Sequence, residues 1–295
     1  MMAPDPDRSF ARYLEAKRTV DDRALNVRVW DRLRSEIVVS GEERTSPLKV
    51  LEIGGGVGTM VERLRYSAML GECDYTLLDN DSELIDAAQI RLTRSHDMKI
   101  HYVVADAFEY LADPGQHGAW DLIVANAVLD LTDLGTSVPT LMNGLEPGGL
   151  LYSSINYDGL TTFAPVIDEW LDTHIERLYN RSMHKRRPDG TESVGSKCGR
   201  ELIPALREAG AQVLEAGSSD WVVFADHNGY HADEEYFLRH ILGFVEDELV
   251  GHPELDRESF ASWLTTRQFQ VRTGELVYIA HQIDALARRP QPQEN

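Results

Sequence analysis

The chain has 295 residues, 42% apolar and 26% charged, which are ordinary proportions for a globular protein with a sizeable core and exclude a collagen-like or mainly disordered chain. Its 29 Lys and Arg against 49 Asp and Glu give a formal charge of −20, a surface that repels nucleic-acid phosphate and anionic lipid. Cys73 and Cys198 are too few for a disulfide framework or a Cys-rich zinc site; the start is acidic and unlike a signal peptide, and no stretch of about 18 apolar residues occurs, so a cytoplasmic protein without a membrane span is expected.

Residues 1–9 read as a frayed tail. Over 10–38, Phe10, Tyr13, Leu14 and Lys17 keep a helical period that Leu25, Val29, Leu33 and Ile37 continue, predicting one or two helices. A strand over 49–53 runs into Gly54-Gly55-Gly56-Val57-Gly58, followed by a helix over 59–68. A strand over 75–79 precedes a helix over 82–94 with Ser82 as N-cap, and a strand over 100–104 ends just before Asp106. A strand over 120–125 leads to a helix over 131–145, stopped by Pro147-Gly148-Gly149, and a strand over 150–155 follows. Strands alternating with helices in this way predict βαβ units and a parallel sheet covered on both faces.

After residue 156 the rhythm changes. Helices are predicted over 165–179, 201–210, 232–250 and 258–271, a polar loop over 181–199, and strands over 211–214, 221–225 and 275–280. No Pro/Gly-rich linker divides the chain, so residues 1–295 are expected to form one α/β domain: a helical cap at 1–40, a ligand-binding core at 45–156, and helical and loop insertions at 157–200 and 226–272. The segment from Arg289 to the C-terminus reads as disordered.

The chemistry concentrates at the carboxyl ends of the first strands. Gly54, Gly56 and Gly58 form G-x-G-x-G, a turn where backbone can approach a ligand because a Cβ would collide. The dinucleotide fingerprint G-x-G-x-x-G would need glycine at Thr59, and no Gly-Lys-Ser/Thr follows to make a P-loop. Asp79 ends the second strand about 20 residues past the glycines, where a carboxylate accepts both ribose hydroxyls, with Asp81 as a competitor. Asp106 and Asn126 follow the third and fourth strands on the same sheet edge.

Over residues 45–156 these motifs resemble the class I S-adenosylmethionine-dependent methyltransferases, whose acid-x-Gly-x-Gly-x-Gly turn is matched by Glu52, Gly54, Gly56 and Gly58. The resemblance implies a doubly wound, seven-stranded, mostly parallel Rossmann-like sheet with a helical lid, the insertions at 157–200 and 226–272 forming the acceptor side, and a last, antiparallel strand near 275–280. It implies that Gly54, Gly55, Gly56 and Gly58 admit the cofactor's methionine part, that Asp79 with Asn80 grips the ribose, and that Asp106, Ala107 and Phe108 lie along the adenine. Asn126 would sit by the methionine end, while Tyr13 and Arg18 on the leading helix would touch its carboxylate or shield its sulfonium. The Asn-Pro-Pro-Tyr type motif of base amino methylation is absent; Asn126-Ala127-Val128-Leu129 stands there.

Methyl transfer needs a general base only when the nucleophile still holds a proton, so a catalytic side chain is optional. Tyr157, Asp158, His174 and His227 are the catalytic candidates, followed by His184, Tyr230 and His231. The His227-x-x-x-His231 loop is a weak metal pattern, and no metal is expected. Arg177, Arg181, Lys185, Arg186, Arg187, Lys197 and Arg200 make a local basic stretch suited to an anionic acceptor or to balancing an acidic body. Apolar stripes through Trp170, Leu171, Ile175 and Leu178, and through Phe237, Ile241, Val245 and Leu249, suit core or homodimer contacts, or a lid over a hydrophobic acceptor. The expected function is methylation of a small molecule that is anionic or hydrophobic; the alternatives are an NAD-type oxidoreductase, a non-catalytic cofactor-binding protein and, more weakly, an RNA methyltransferase.

Overall fold

The structure, a computed structural model, describes residues 9–42, 45–93, 98–185 and 193–291. Five strands, β1 (Leu48–Ile53), β2 (Cys73–Asp79), β3 (Lys99–Val104), β4 (Trp120–Asn126) and β5 (Leu145–Ala164), pair in parallel in the order β3-β2-β1-β4-β5. The sheet is completed by β8 (Val277–Arg288), antiparallel to β5, and by β6 (Gln212–Ser218) on the far edge. Strand order reverses between β1 and β4, and such a switch point opens a crevice at the strands' carboxyl ends.

Both faces are covered. Apolar residues of α2 (Val27–Glu42), α3 (Thr59–Tyr66) and α4 (Ser82–Leu92), among them Leu33, Leu64 and Ala88, bury one face. The other is buried by α5 (Ala107–Ala112), α6 (Leu134–Gly144) and α8 (Cys198–Glu208), with Leu111, Leu141 and Leu202. The cap of α4 is Asp81, whose carboxylate accepts from Glu83 N at 2.8 Å, and not Ser82.

Among the described residues the sheet has eight strands where seven are expected. The predicted stop at Pro147-Gly148-Gly149 lies inside β5, which begins directly after α6 and runs for 20 residues. Against β4 the register shifts between Leu145 and Leu150, the stretch that holds Gly148 and Gly149, and against β8 it shifts between Tyr157 and Leu160 around Gly159, so these glycines mark irregularities within the strand and not a terminus. Its far half pairs with β8, and β7 (Trp221–Val223) adds to the other edge of β8, opposite Tyr278–Ala280.

This extension carries a third core. One side buries Phe163, Trp221, Val223 and Tyr278 against α1 (Phe10–Ala24), α7 (Glu169–Ser182), α9 (Glu234–Leu249) and α10 (Arg257–Thr273). The α9 stripe and Ile175 and Leu178 of α7 are therefore core, whereas Trp170 is 71% exposed and stacks on His174. Helix α7 starts at Glu169, later than the pattern suggests, because Asp168 caps it through Leu171 N.

An ion pair pins this core. Arg267, fully buried, donates to Asp172 Oδ1 at 2.6 Å and to the carbonyls of Phe163 and Pro165. Trp263 Nε1 donates to Asp172 Oδ1 at 2.5 Å, and Ile167 N and Asp168 N to its Oδ2. Burial alone would raise the Asp172 pKa, but these donors overcome it and hold the carboxyl below its usual range. Removing one member of such a pair strands the other, so Asp172→Ala or Arg267→Ala is expected to cost about 3–5 kcal/mol in denaturant unfolding, and Asp172→Leu/Arg267→Met less than either. Because the native pKa of Asp172 is depressed, its stabilisation is present above the usual carboxylate pKa and is lost as pH falls through the lower native value.

Candidate active site

At the switch point lies a cavity of about 590 Å³, walled by β1, β2 and β4, by the turns after them and after β3, and by α1. Its floor is the glycine turn. Gly54 and Gly56 have φ of +60° and +52°, and a Cβ on Gly54 would meet Val128 Cγ2 at 2.4 Å. Side chains are thus excluded twice over, by conformation and by space. Gly56 N donates to Asp79 Oδ2 at 2.9 Å and Gly55 N to the Leu78 carbonyl at 3.0 Å, locking the turn onto the end of β2.

Asp79 Oδ1 accepts from Asp81 N at 3.0 Å, so each oxygen has one backbone donor and further lone pairs for a ligand. Burial raises the Asp79 pKa and these N–H groups oppose the rise. Asp106 Oδ1 caps α5 through Phe108 N and Glu109 N, which sets Ala107 and Phe108 against the cavity. Asn126 Oδ1 accepts from Ser154 Oγ at 2.8 Å. Glu52, 2% exposed, takes the Tyr75 hydroxyl at 2.8 Å; burial pushes its pKa up to about 8, despite that bond and nearby Arg63.

The structure brings Glu52, Gly54, Gly55, Gly56, Asp79, Asn80, Asp106, Ala107, Phe108 and Asn126 together on this wall. It does not bring Gly58, Tyr13 or Arg18 there. Gly58 caps α3 in a left-handed conformation, with Leu92 2.7 Å from a would-be Cβ. On α1 the positions 10, 14, 17 and 21 share a face, and Phe10, Leu14, Lys17 and Asp21 line the cavity. Tyr13 lies on the adjoining face, 7% exposed, stacked on Phe237 at 5.8 Å and His240 at 4.6 Å. Arg18, one residue beyond Lys17, is turned away toward Asp22 (3.7 Å) and Glu62 (3.3 Å). The helical period of α1 contained Lys17; what the sequence could not show was which stripe faced the cavity.

The catalytic candidates also lie elsewhere. Tyr157 is 7% exposed in the third core and hydrogen-bonds Thr161 and Asn180. Asp158 accepts from Arg200 N and Nε, both at 2.8 Å. His174 contacts the Glu254 carbonyl, His227 is exposed beside Asn228, His184 meets Ser196, and Tyr230 donates to the Leu276 carbonyl. His231 is exposed. No described residue of 157–200 or 226–272 lines the cavity; these segments reach it only by bracing α1. In the basic stretch Arg177 and Arg181 pair with Glu254 and Arg200 with Asp158, and Arg186 and Arg187 lie outside the described residues.

Buried Glu52 makes a pH prediction. Its native pKa exceeds the unfolded value, so the folded state holds a proton that the unfolded state has lost, and stability falls as pH rises from the usual carboxylate range to about 8. Asp284, raised to about 6 by burial, acts in the same direction over a lower window. Glu52→Gln is therefore expected to remove the decline between about pH 6 and 8 in urea midpoints and to leave the lower part in place.

Residues 50–149 match the family described as a methyltransferase domain. Among solved structures, a candidate methyltransferase of Bacillus halodurans aligns with 87% of this chain and 100% of its own, at 13% identity and a TM-score of 0.50. A candidate sarcosine dimethylglycine methyltransferase of Galdieria sulphuraria aligns over 90% and 86% of the two chains, at 16% identity and a TM-score of 0.46. Phosphoethanolamine N-methyltransferase 2 of Haemonchus contortus aligns over 89% and 53%, at 13% identity and a TM-score of 0.42. No curated protein matches the sequence. The Bacillus likeness speaks for the fold, and the family match for the segment that carries the glycine turn, Asp79, Asp106 and Asn126. Residues 50–149 of this chain are thus a methyltransferase domain, set in a fold shared with a candidate methyltransferase.

Proposed function

We propose that the chain methylates a small, apolar acceptor, and that the cavity between α1 and the glycine turn holds the cofactor. The observation that carries this reading is the charge of the wall. Among the described lining residues Lys17 is the one cation, against the carboxyl groups of Asp21, Asp79, Asp81 and Asp106, while Glu52 keeps its proton near neutral pH. A ligand with a carboxylate, a ribose and an adenine finds a partner for each: Lys17 for the carboxylate, Asp79 for the ribose, Ala107 and Phe108 for the ring.

S-Adenosylmethionine supplies a methyl group already activated on a sulfonium, so orientation and exclusion of water are what the protein must add. The glycine turn brings backbone against the methionine part, and α1 closes that side with Phe10 and Leu14. No His, Tyr or Cys is among the described lining residues, which favours a nucleophile needing no side-chain base. Phe10 and Leu131, 51% and 45% exposed, and Val128 give the cavity an apolar rim. The described arginines of the 177–200 stretch pair with acids away from this rim, which supports the hydrophobic acceptor over the anionic one and over RNA.

Calorimetric titration tests the cofactor site. S-Adenosylmethionine and S-adenosylhomocysteine are expected to bind, NAD(H) is not, and Asp79→Ala is expected to weaken binding about 100-fold through loss of the ribose hydrogen bonds. Undiminished binding by Asp79→Ala would remove Asp79 from the site. For the acceptor, turnover on apolar amines and thiols, reduced by Phe10→Asp and Leu131→Asp, is the expected result. Turnover on phosphorylated acceptors alone would overturn the apolar assignment.

A further inference from the structure

The ammonium of Lys17 is held from a strand that never reaches the cavity. Lys17 Nζ lies 3.1 Å from Asp21 Oδ2, one helical turn along α1, with the two residues 6% and 2% exposed. The other carboxylate oxygen, Asp21 Oδ1, accepts from Trp221 Nε1 at 3.0 Å. Trp221 belongs to β7, the strand beyond the expected seven, and the indole is 8% exposed, edge-on to Phe237 at 5.4 Å. Lys17 Nζ also stands 5.4 Å from the centre of the Trp221 ring. Arg63 Nη2, on the helix following the glycine turn, also approaches Asp21 Oδ2 at 3.6 Å.

The two oxygens of Asp21 therefore have separate duties. The indole N–H occupies Oδ1 and leaves Oδ2 for the cations. A carboxylate without that donor can rotate and offer both oxygens to Lys17 and Arg63, drawing the ammonium off its line into the cavity. We infer that Trp221 is a positioning residue for cofactor binding, fixing the Asp21 carboxylate so that Lys17 presents its ammonium to the cofactor's carboxylate. This rests on the reading of Lys17 given above. A role for β7 follows: the added strand serves the cofactor site through one N–H group.

The test compares S-adenosylmethionine with its decarboxylated form, which differs only in the group Lys17 is said to hold. The wild-type protein is expected to favour the carboxylated ligand by about 10- to 100-fold, the range of a hydrogen bond between charged groups. Lys17→Met should abolish that preference. Trp221→Phe, which keeps an aromatic ring but loses the N–H, should shrink it about 3- to 10-fold while binding of the decarboxylated ligand stays unchanged. Benzothienylalanine incorporated at position 221 places sulfur where the N–H was and nearly preserves the indole's shape; it should reproduce the Trp221→Phe result even if that variant folds poorly. A full preference retained by both 221 variants, or equal weakening of both ligands, overturns the positioning role. A preference that survives Lys17→Met overturns the Lys17 reading itself, and the role of Trp221 with it.

Discussion

The buried carboxylate of Asp21 joins three elements that the sequence keeps far apart: α1, which carries it, α3 through Arg63, and β7 through Trp221. A carboxylate this deeply buried is tolerated only when its lone pairs are filled, and truncating one partner of such a cluster costs several kcal/mol. The same contacts hold α1 against the glycine turn, where Leu14 Cδ1 would lie 2.9 Å from a Cβ on Gly56. The cavity is the space left between them. Its wall depends on α1, and α1 depends on a polar cluster and not on apolar packing alone.

The far half of the molecule acts through that helix. β5 and β8 outrun the parallel sheet, and α7, α9 and α10 close over their extension with the Asp172–Arg267 pair at its centre. Helix α9 supports α1 twice: Phe237 and His240 stack on Tyr13, and Glu234 takes Arg23 and Thr19. Segments that read as a lid are thus a brace, and the rim of the cavity is made by α1 and the segment after β4.

Charge inside the site differs in kind from charge on the surface. The overall −20 governs long-range association. Within the cavity the acids are individually assigned: Asp79 and Asp106 by backbone N–H groups, Asp21 by two cations and an indole, Glu52 by burial that keeps its proton near neutral pH. The result is a wall that receives positive charge at one place and a carboxylate at another.

Most of the parallel sheet and most of the cavity wall were legible in the sequence, because both rest on local rules. Apolar runs of strand length ending in glycine or aspartate mark the carboxyl edge of a parallel sheet, and a turn that admits only glycine at 54 and 56 announces itself. The contact between α1 and the cavity was half legible: the period of Phe10, Leu14 and Lys17 identifies a face but not its neighbour. Tertiary packing alone decided that Tyr13 faces Phe237 and Lys17 the cavity, that Gly148 and Gly159 lie at irregularities within β5 without ending it, and that Trp221 meets Asp21 across 200 residues. Local sequence determines which conformations a segment can hold; which side chain completes a buried carboxylate depends on elements brought together only when the third core closes.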